Sequence, residues 1–238
     1  MPSSEMTFSS YPGILSSTDD WYVTNNNLLI TETTLEVINI EKYKNVKSAE
    51  NYIPNFLRVL SASRFSKTGQ EWCESISAYN SGTYSSQWMV IDYNKFKKMK
   101  GKKNKKKGLV YMLEQTPGEV IYHDITDHIT STSYFGSFNR AFLKETKLSL
   151  DENLIKNLYG NTFNYFGAQR RIIANHYSPY VKDLKTLKDL LRQNGYLKAN
   201  NWNDPSFHKP SKAFSARLDF LGIPNGGIDT KVINSELM

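Results

Sequence analysis

One cysteine, Cys73, stands in 238 residues, so no disulfide can close within the chain. No apolar run approaches the roughly 20 residues that a membrane-spanning helix needs. No Asn-x-Ser/Thr sequon occurs, which leaves no sign of N-glycosylation. Met1 to Gly13 lacks a positive start and an apolar central segment, so no signal peptide is read there and a cytoplasmic location is expected if the chain is complete as given. G-x-S-x-G, Walker and dinucleotide-binding patterns are all missing, as is any internal repeat. These absences remove the commonest hydrolase, nucleotide and repeat classes.

What is present is a globular composition, 39% hydrophobic and 13% aromatic, with a formal net charge of +7. A chain of this length buries a real core. The charge is local. Nine lysines and no acid lie between Lys95 and Lys107, and the rest of the chain holds 21 basic against 23 acidic residues. The run reads first as a solvated loop between two strands. Its second reading is contact with an anionic membrane surface. Nearly pure lysine, without arginine or aromatic interleaving, argues against nucleic acid.

Periodicity supplies the elements. Trp21–Thr24, Leu28–Thr31 and Leu35–Ile40 read as short strands, with Asn25-Asn26-Asn27 as a hairpin turn, after a loop over Phe8–Asp20. Pro54 suits a helix start, and Phe56, Leu57, Leu60 and Phe65 form a rough apolar stripe. Gln70–Tyr79 follows as a second helix with Trp72, Cys73, Ile76 and Tyr79 on one face. Strands return at 83–93, 109–115 and 119–123, the last two around a Pro117-Gly118 turn. The strand at 83–93 carries Gln87 and Asp92, which need partners if it is buried, and Trp88 is expected to be buried with its indole N–H bonded. Ser149–Gly160 reads as a helix capped by Ser149 and Glu152, and Ser178-Pro179 opens another that runs to Gly195. The expected class is α+β, layered helix–sheet–sheet–helix.

Few residues suggest chemistry without a family. His123, His128, Asp124 and Asp127 are close in sequence but lack metal-ligand spacing, and read as exposed polar residues. Asp19-Asp20 reads equally as a carboxylate pair or as turn residues. Cys73 falls on an apolar helix face, where a thiol is inert packing.

Several ordered motifs carry a resemblance. Tyr79–Tyr93, YNSGTYSSQWMVIDY, resembles the NSGTY-x-x-QW-M-V-x-DY signature of the phospholipase B-like family, with Ser85-Ser86 where that family usually has two asparagines. FSSYPGILSSTDDWYV at 8–23, LLITETT at 28–34, FLRVLSASRFSKTGQEW at 56–72 and LEQTPGEV at 113–120 continue it. YFGSFN at 134–139, SARLDF at 215–220 and GGIDTKV at 226–232 extend it through most of the chain, read as one domain over 1–238.

The resemblance implies a four-layer αββα N-terminal nucleophile hydrolase that cleaves fatty acyl ester or amide bonds, with phospholipids as substrate and no cofactor. It also implies a lysosomal or secreted setting. In that family a cysteine exposed by self-cleavage attacks the acyl carbonyl, and its new α-amino group serves as base. Carried over by position, Thr34 lines the nucleophile, Asn139 donates to the oxyanion and Arg170 fixes the nucleophile or the carbonyl. The family pattern Pro-Arg-Ala stands here as Gln169-Arg170-Arg171. The family cysteine lies upstream of SSYPG, and Met1-Pro2 offers no nucleophile. The expectation is therefore an incomplete family segment, inactive alone: an incomplete gene product, or a fragment that needs a separate partner chain to supply the nucleophile. The alternative is a catalytically inactive remnant that binds lipid or protein.

Overall fold

Leu28–Thr34 (β3) and Ser86–Asp92 (β4), seven residues each, lie side by side and antiparallel. The computed structural model describes residues 1–10, 13–14, 18–46, 52–99, 107–193 and 210–223, which fall into two units, 1–158 and 159–238. In the first unit Met6–Phe8 (β1), Trp21–Thr24 (β2), Val110–Thr116 (β5) and Glu119–Asp124 (β6) complete a six-stranded sheet ordered β1-β2-β3-β4-β5-β6, antiparallel throughout. Among the described residues this is one sheet.

Alternation gives the sheet two unlike faces. Tyr22, Leu28, Ile30, Trp88, Val90 and Leu113 pack on one side beneath Asn55–Phe65 (α1) and Gly69–Ser77 (α2), which add Val59, Ala62, Trp72, Cys73 and Ile76. Trp72 and Trp88 meet there with ring centroids 5.3 Å apart. Met89, Ile91, Val110 and Met112 face the other way, against Ile125, Leu143, Phe135 and Phe142.

Local signals explain most boundaries. The Thr68 hydroxyl accepts from the Glu71 N–H at 3.2 Å, and the Glu71 carboxylate accepts from the Lys67 N–H at 2.7 Å, fixing the start of α2. Asn27 takes a φ of 68° in the expected Asn25–Asn27 hairpin. Asp92, the second polar group of β4, caps Tyr93–Met99 (α3) by accepting from the Asn94 and Lys95 N–H groups. In the NSG turn Asn80 Oδ1 accepts from the buried Arg58 and from the Gly82 N–H. A side chain at Gly82 would lie 2.6 Å from the Gly118 nitrogen, so the NSG and Pro-Gly turns touch, and only glycine admits that approach.

Three expectations are corrected, each for a local reason. Residues 35–39 form no strand, and Ile40–Asn45 is a 3-10 turn whose start Asn39 caps. The helix expected over Ser149–Gly160 forms and stops before Gly160, but it starts late: Ser149 ends a separate helix, Lys144–Ser149 (α5), Asp151 at φ 56° divides the two, and Glu152–Tyr159 (α6) follows. Ser178–Tyr180 is only a 3-10 turn, and Asp183 caps Leu184–Leu191 (α8) instead. The elements between are Thr126–Thr132 (α4), in the first unit, and Gln169–Tyr177 (α7), in the second. Motifs at 194–209 and beyond 223 lie outside the described residues.

Candidate functional site

β3 ends in Thr33 and Thr34, and alternation sends their side chains to opposite faces of the sheet. Thr34, on the helix-covered face and exposed, places its hydroxyl 3.3 Å from the Tyr84 hydroxyl. Segment 137–143 approaches this strand end. The Asn139 side-chain amide donates to the Thr34 carbonyl at 2.7 Å, and the Asn139 carbonyl accepts from the Glu36 N–H at 3.3 Å. Arg140 pairs with Glu36 beside it. Asn139 holds a left-handed φ of 59°, a conformation its short amide tolerates better than most side chains. Two residues 105 positions apart in sequence are thereby held in contact.

A buried network on the opposite face fixes segment 137–143. Thr33 bonds the Ser137 hydroxyl, which bonds Gln87. Gln87 Nε2 donates to Glu114 at 2.6 Å and to the Arg140 carbonyl at 3.2 Å. The Glu114 carboxylate also accepts from the backbone N–H groups of Phe142 (2.6 Å) and Leu143 (3.1 Å). Burial pushes the Glu114 carboxyl above its ordinary value, while these donors pull it back. Gln87, flagged in sequence as a polar group needing partners, is therefore a strut between β4, β5 and the Asn139 segment.

The helix-covered face has a polar end as well. Glu32 is buried, two residues before Thr34, and burial raises its carboxyl to about 7, with the Ser86 hydroxyl opposing the shift and Asp20 adding to it. Neither Glu32 nor Glu114 stands out in the sequence as a site candidate. A signal existed: Glu32 follows Leu28 and Ile30 at period two, and Glu114 follows Val110 and Met112.

The remaining candidates fall elsewhere. Arg170 lies in the second unit, half-buried on α7, where its Nε donates to the Ala213 carbonyl at 3.2 Å. Cys73 is fully buried among apolar side chains, and burial pushes its thiol up, away from the reactive thiolate. Asp19 is buried, with its N–H donating to the Tyr22 hydroxyl at 2.8 Å. His123 is exposed and meets Glu145 at 3.2 Å. His128 differs from its expectation: it is half-buried and lies edge-on to Phe135 and Phe142, because α4 turns it onto that aromatic cluster. Trp88 is buried as expected, but its indole N–H has no hydrogen-bond partner among the described residues.

The fold and the Thr34–Asn139 contact define an α+β domain in which a meandering antiparallel sheet ends at a polar corner. The family model for phospholipase B matches residues 1–238, and the chain belongs to that family. It is 35% identical over 251 residues to phospholipase B-like protein A of Dictyostelium discoideum, covering 100% of this chain and 42% of the relative. A phospholipase B-like 2 protein of Caenorhabditis elegans matches at 35% over 253 residues, covering 100% and 43%. Phospholipase B-like protein F of Dictyostelium discoideum matches at 31%, again over the whole chain. The chain thus spans less than half the length of these relatives.

Proposed function

We propose that this chain supplies part of the active site of an acyl hydrolase that cleaves fatty acyl ester bonds of phospholipids. The observation that carries this reading is the contact between Asn139 and Thr34, two residues the family resemblance assigns to the site and the fold brings together. A neutral amide at that corner is suited to donate to the oxygen that becomes negative when an acyl carbonyl is attacked.

In the proposed reaction a thiolate attacks the acyl carbonyl, the alcohol leaves with a proton, and water then hydrolyses the thioester. That nucleophile is a group other than Cys73, whose burial keeps it protonated and out of reach. Thr34 lines the reacting carbon; Arg170 enters this reading only through the family resemblance. The four-layer αββα arrangement belongs to the same proposal; helices α1 and α2 over one face of the sheet support one sheet-and-helix pair of it. So does a lysosomal or extracellular setting.

The test is fatty acid release from phosphatidylcholine vesicles by the longest natural product of this gene that contains residues 1–238. Thr34→Val and Asn139→Ala should each lower release at least tenfold while the protein still folds and binds vesicles. Release unaffected by both changes would remove the assignment. Vesicle binding with no release at all would favour a non-catalytic lipid-binding module.

A further inference from the structure

On the helix-covered face, the rungs before the Thr34 corner hold polar atoms in an otherwise apolar layer. Register places Glu32 opposite Trp88, Thr34 opposite Ser86 and Ser86 opposite Gln115. Glu32 is therefore diagonal to Ser86, and all four side chains lie on one face of three neighbouring strands. Each is at least nine-tenths buried: Glu32 7% exposed, Gln115 1%, Ser86 and Trp88 0%. Glu32 Oε1, Ser86 Oγ, Gln115 Oε1 and Trp88 Nε1 all lack a hydrogen-bond partner among the described residues. Ser86 lies near enough to act on the Glu32 carboxyl, yet neither of these two atoms completes a bond.

Donor counting makes this arrangement specific. Gln115 Nε2 is committed to the Tyr84 carbonyl at 2.6 Å, so its Oε1 points the other way as an acceptor. An ionised Glu32 is an acceptor as well, and Ser86 has a single hydrogen to give. Trp88 cannot swing freely to help, because its ring is held against Trp72. A buried polar atom left unpaired is costly, and four at adjoining positions call for partners that these side chains do not supply. Water brings two hydrogens and two acceptor sites and meets such groups in threes and fours. The ionisable groups acting on Glu32 are Asp20 before β2, Tyr22 on β2 and Tyr84 before β4, none of them a cation. Arg58 on α1 spends its donors on the Ile53 and Ile76 carbonyls, Asn55 and Asn80.

We propose that Glu32, Ser86, Gln115 and Trp88 line an internal hydration site, in which ordered water takes the bonds these side chains do not give one another. The site lies two residues along β3 from Thr34, and Tyr84 links the two: its carbonyl accepts from Gln115 and its hydroxyl meets Thr34. This inference goes beyond the acyl-transfer reading and stands without it.

The experiment is made first on the unaltered chain. A crystal structure that orders internal solvent should show at least one water bonded to two or more of the four atoms. The carboxyl carbon-13 resonance of Glu32 should titrate above the ordinary carboxylate range, and Ser86→Ala should move that midpoint further up, since the water that donates to the charged form loses one of its anchors. Direct bonds among the four side chains with no water between them would overturn the proposal. So would a Glu32 midpoint unchanged by Ser86→Ala. Because the first measurement needs no substitution, a variant that fails to fold leaves the proposal open to refutation.

Discussion

The side-chain amide of Asn139 donates to the backbone carbonyl of Thr34 at 2.7 Å, joining the loop after α4 to the end of a central strand. The bond is possible because Asn139 holds a left-handed backbone, φ 59°. Substitution separates the two contributions. Asn139→Gly should lose the hydrogen bond to Thr34, on the order of 1 kcal/mol, without backbone strain. Asn139→Ala should lose the bond and add strain of about 1 kcal/mol for a Cβ in that conformation. Urea denaturation should therefore rank the parent above Gly and Gly above Ala; equal midpoints for Gly and Ala would contradict the strained geometry.

Glu32 makes a prediction about pH. Its carboxyl is raised from 4.5 to about 7 in the folded chain, so between those values the native state holds a proton that the unfolded state has released. The group therefore lowers stability as pH rises through that window, and its full penalty is present above about 7. A shift of this size corresponds to roughly 3 kcal/mol. Glu32→Gln should abolish most of that slope and stabilise the chain more at pH 8 than at pH 4.5. Thermal unfolding across the range checks the sign.

Glu114 anchors the Asn139 segment from the opposite face. Replacing one carboxylate oxygen by an NH2 group sets a donor against donors from Gln87, Phe142 or Leu143. Glu114→Gln should destabilise the chain by about 2–3 kcal/mol, the cost of buried donors left without acceptors. Hydrogen exchange should show the amides of Phe142 and Leu143 losing protection before those of β4. Uniform loss across the sheet would mean that Glu114 supports the fold generally and not this segment.

The lysine run, expected as loop, starts instead on α3, which carries Lys95, Lys97 and Lys98; its second half can be replaced. Residues 100–106 lie outside the described residues, and the chain re-enters the fold where the Gly108 N–H donates to Asp124 at 2.7 Å. Replacing Lys102–Lys107 by Gly and Ser residues should leave the unfolding midpoint unchanged. On vesicles rich in anionic lipid the same change should weaken binding, with the difference vanishing at high salt. Equal binding at low salt would assign the run to solvation alone.

Legibility followed periodicity. Strand β4 was readable from its alternation, and the pairing needs of Gln87 and Asp92 followed from burial. Tyr79, expected on the buried face of α2, is instead exposed, with a left-handed φ of 55°, because the helix has already ended at Ser77. Asp151 moved the start of a helix expected from Ser149 to Glu152, since a single residue at positive φ outweighs a local capping pattern. The Thr34–Asn139 contact was not readable from composition or spacing, because two residues so distant in sequence meet only through the tertiary fold. The resemblance named both of them, and the geometry joined them. Glu32 and Glu114 escaped notice because an acid inside a strand reads as a solvent-facing position until both faces are known to be covered.

The strand order β1-β2-β3-β4-β5-β6 has a further consequence. Every strand pairs with its immediate predecessor, so none must wait for a later one to fill a gap beside it. Synthesis delivers the strands in the order in which the ladder is built, and the most separated neighbours, β3 and β4, enclose the helices that cover their shared face. Only the two margins, β1 and β6, carry backbone groups without a neighbouring strand in the described sheet. Another strand can join at either margin without breaking a rung already formed, and removing β1 narrows the sheet without splitting it.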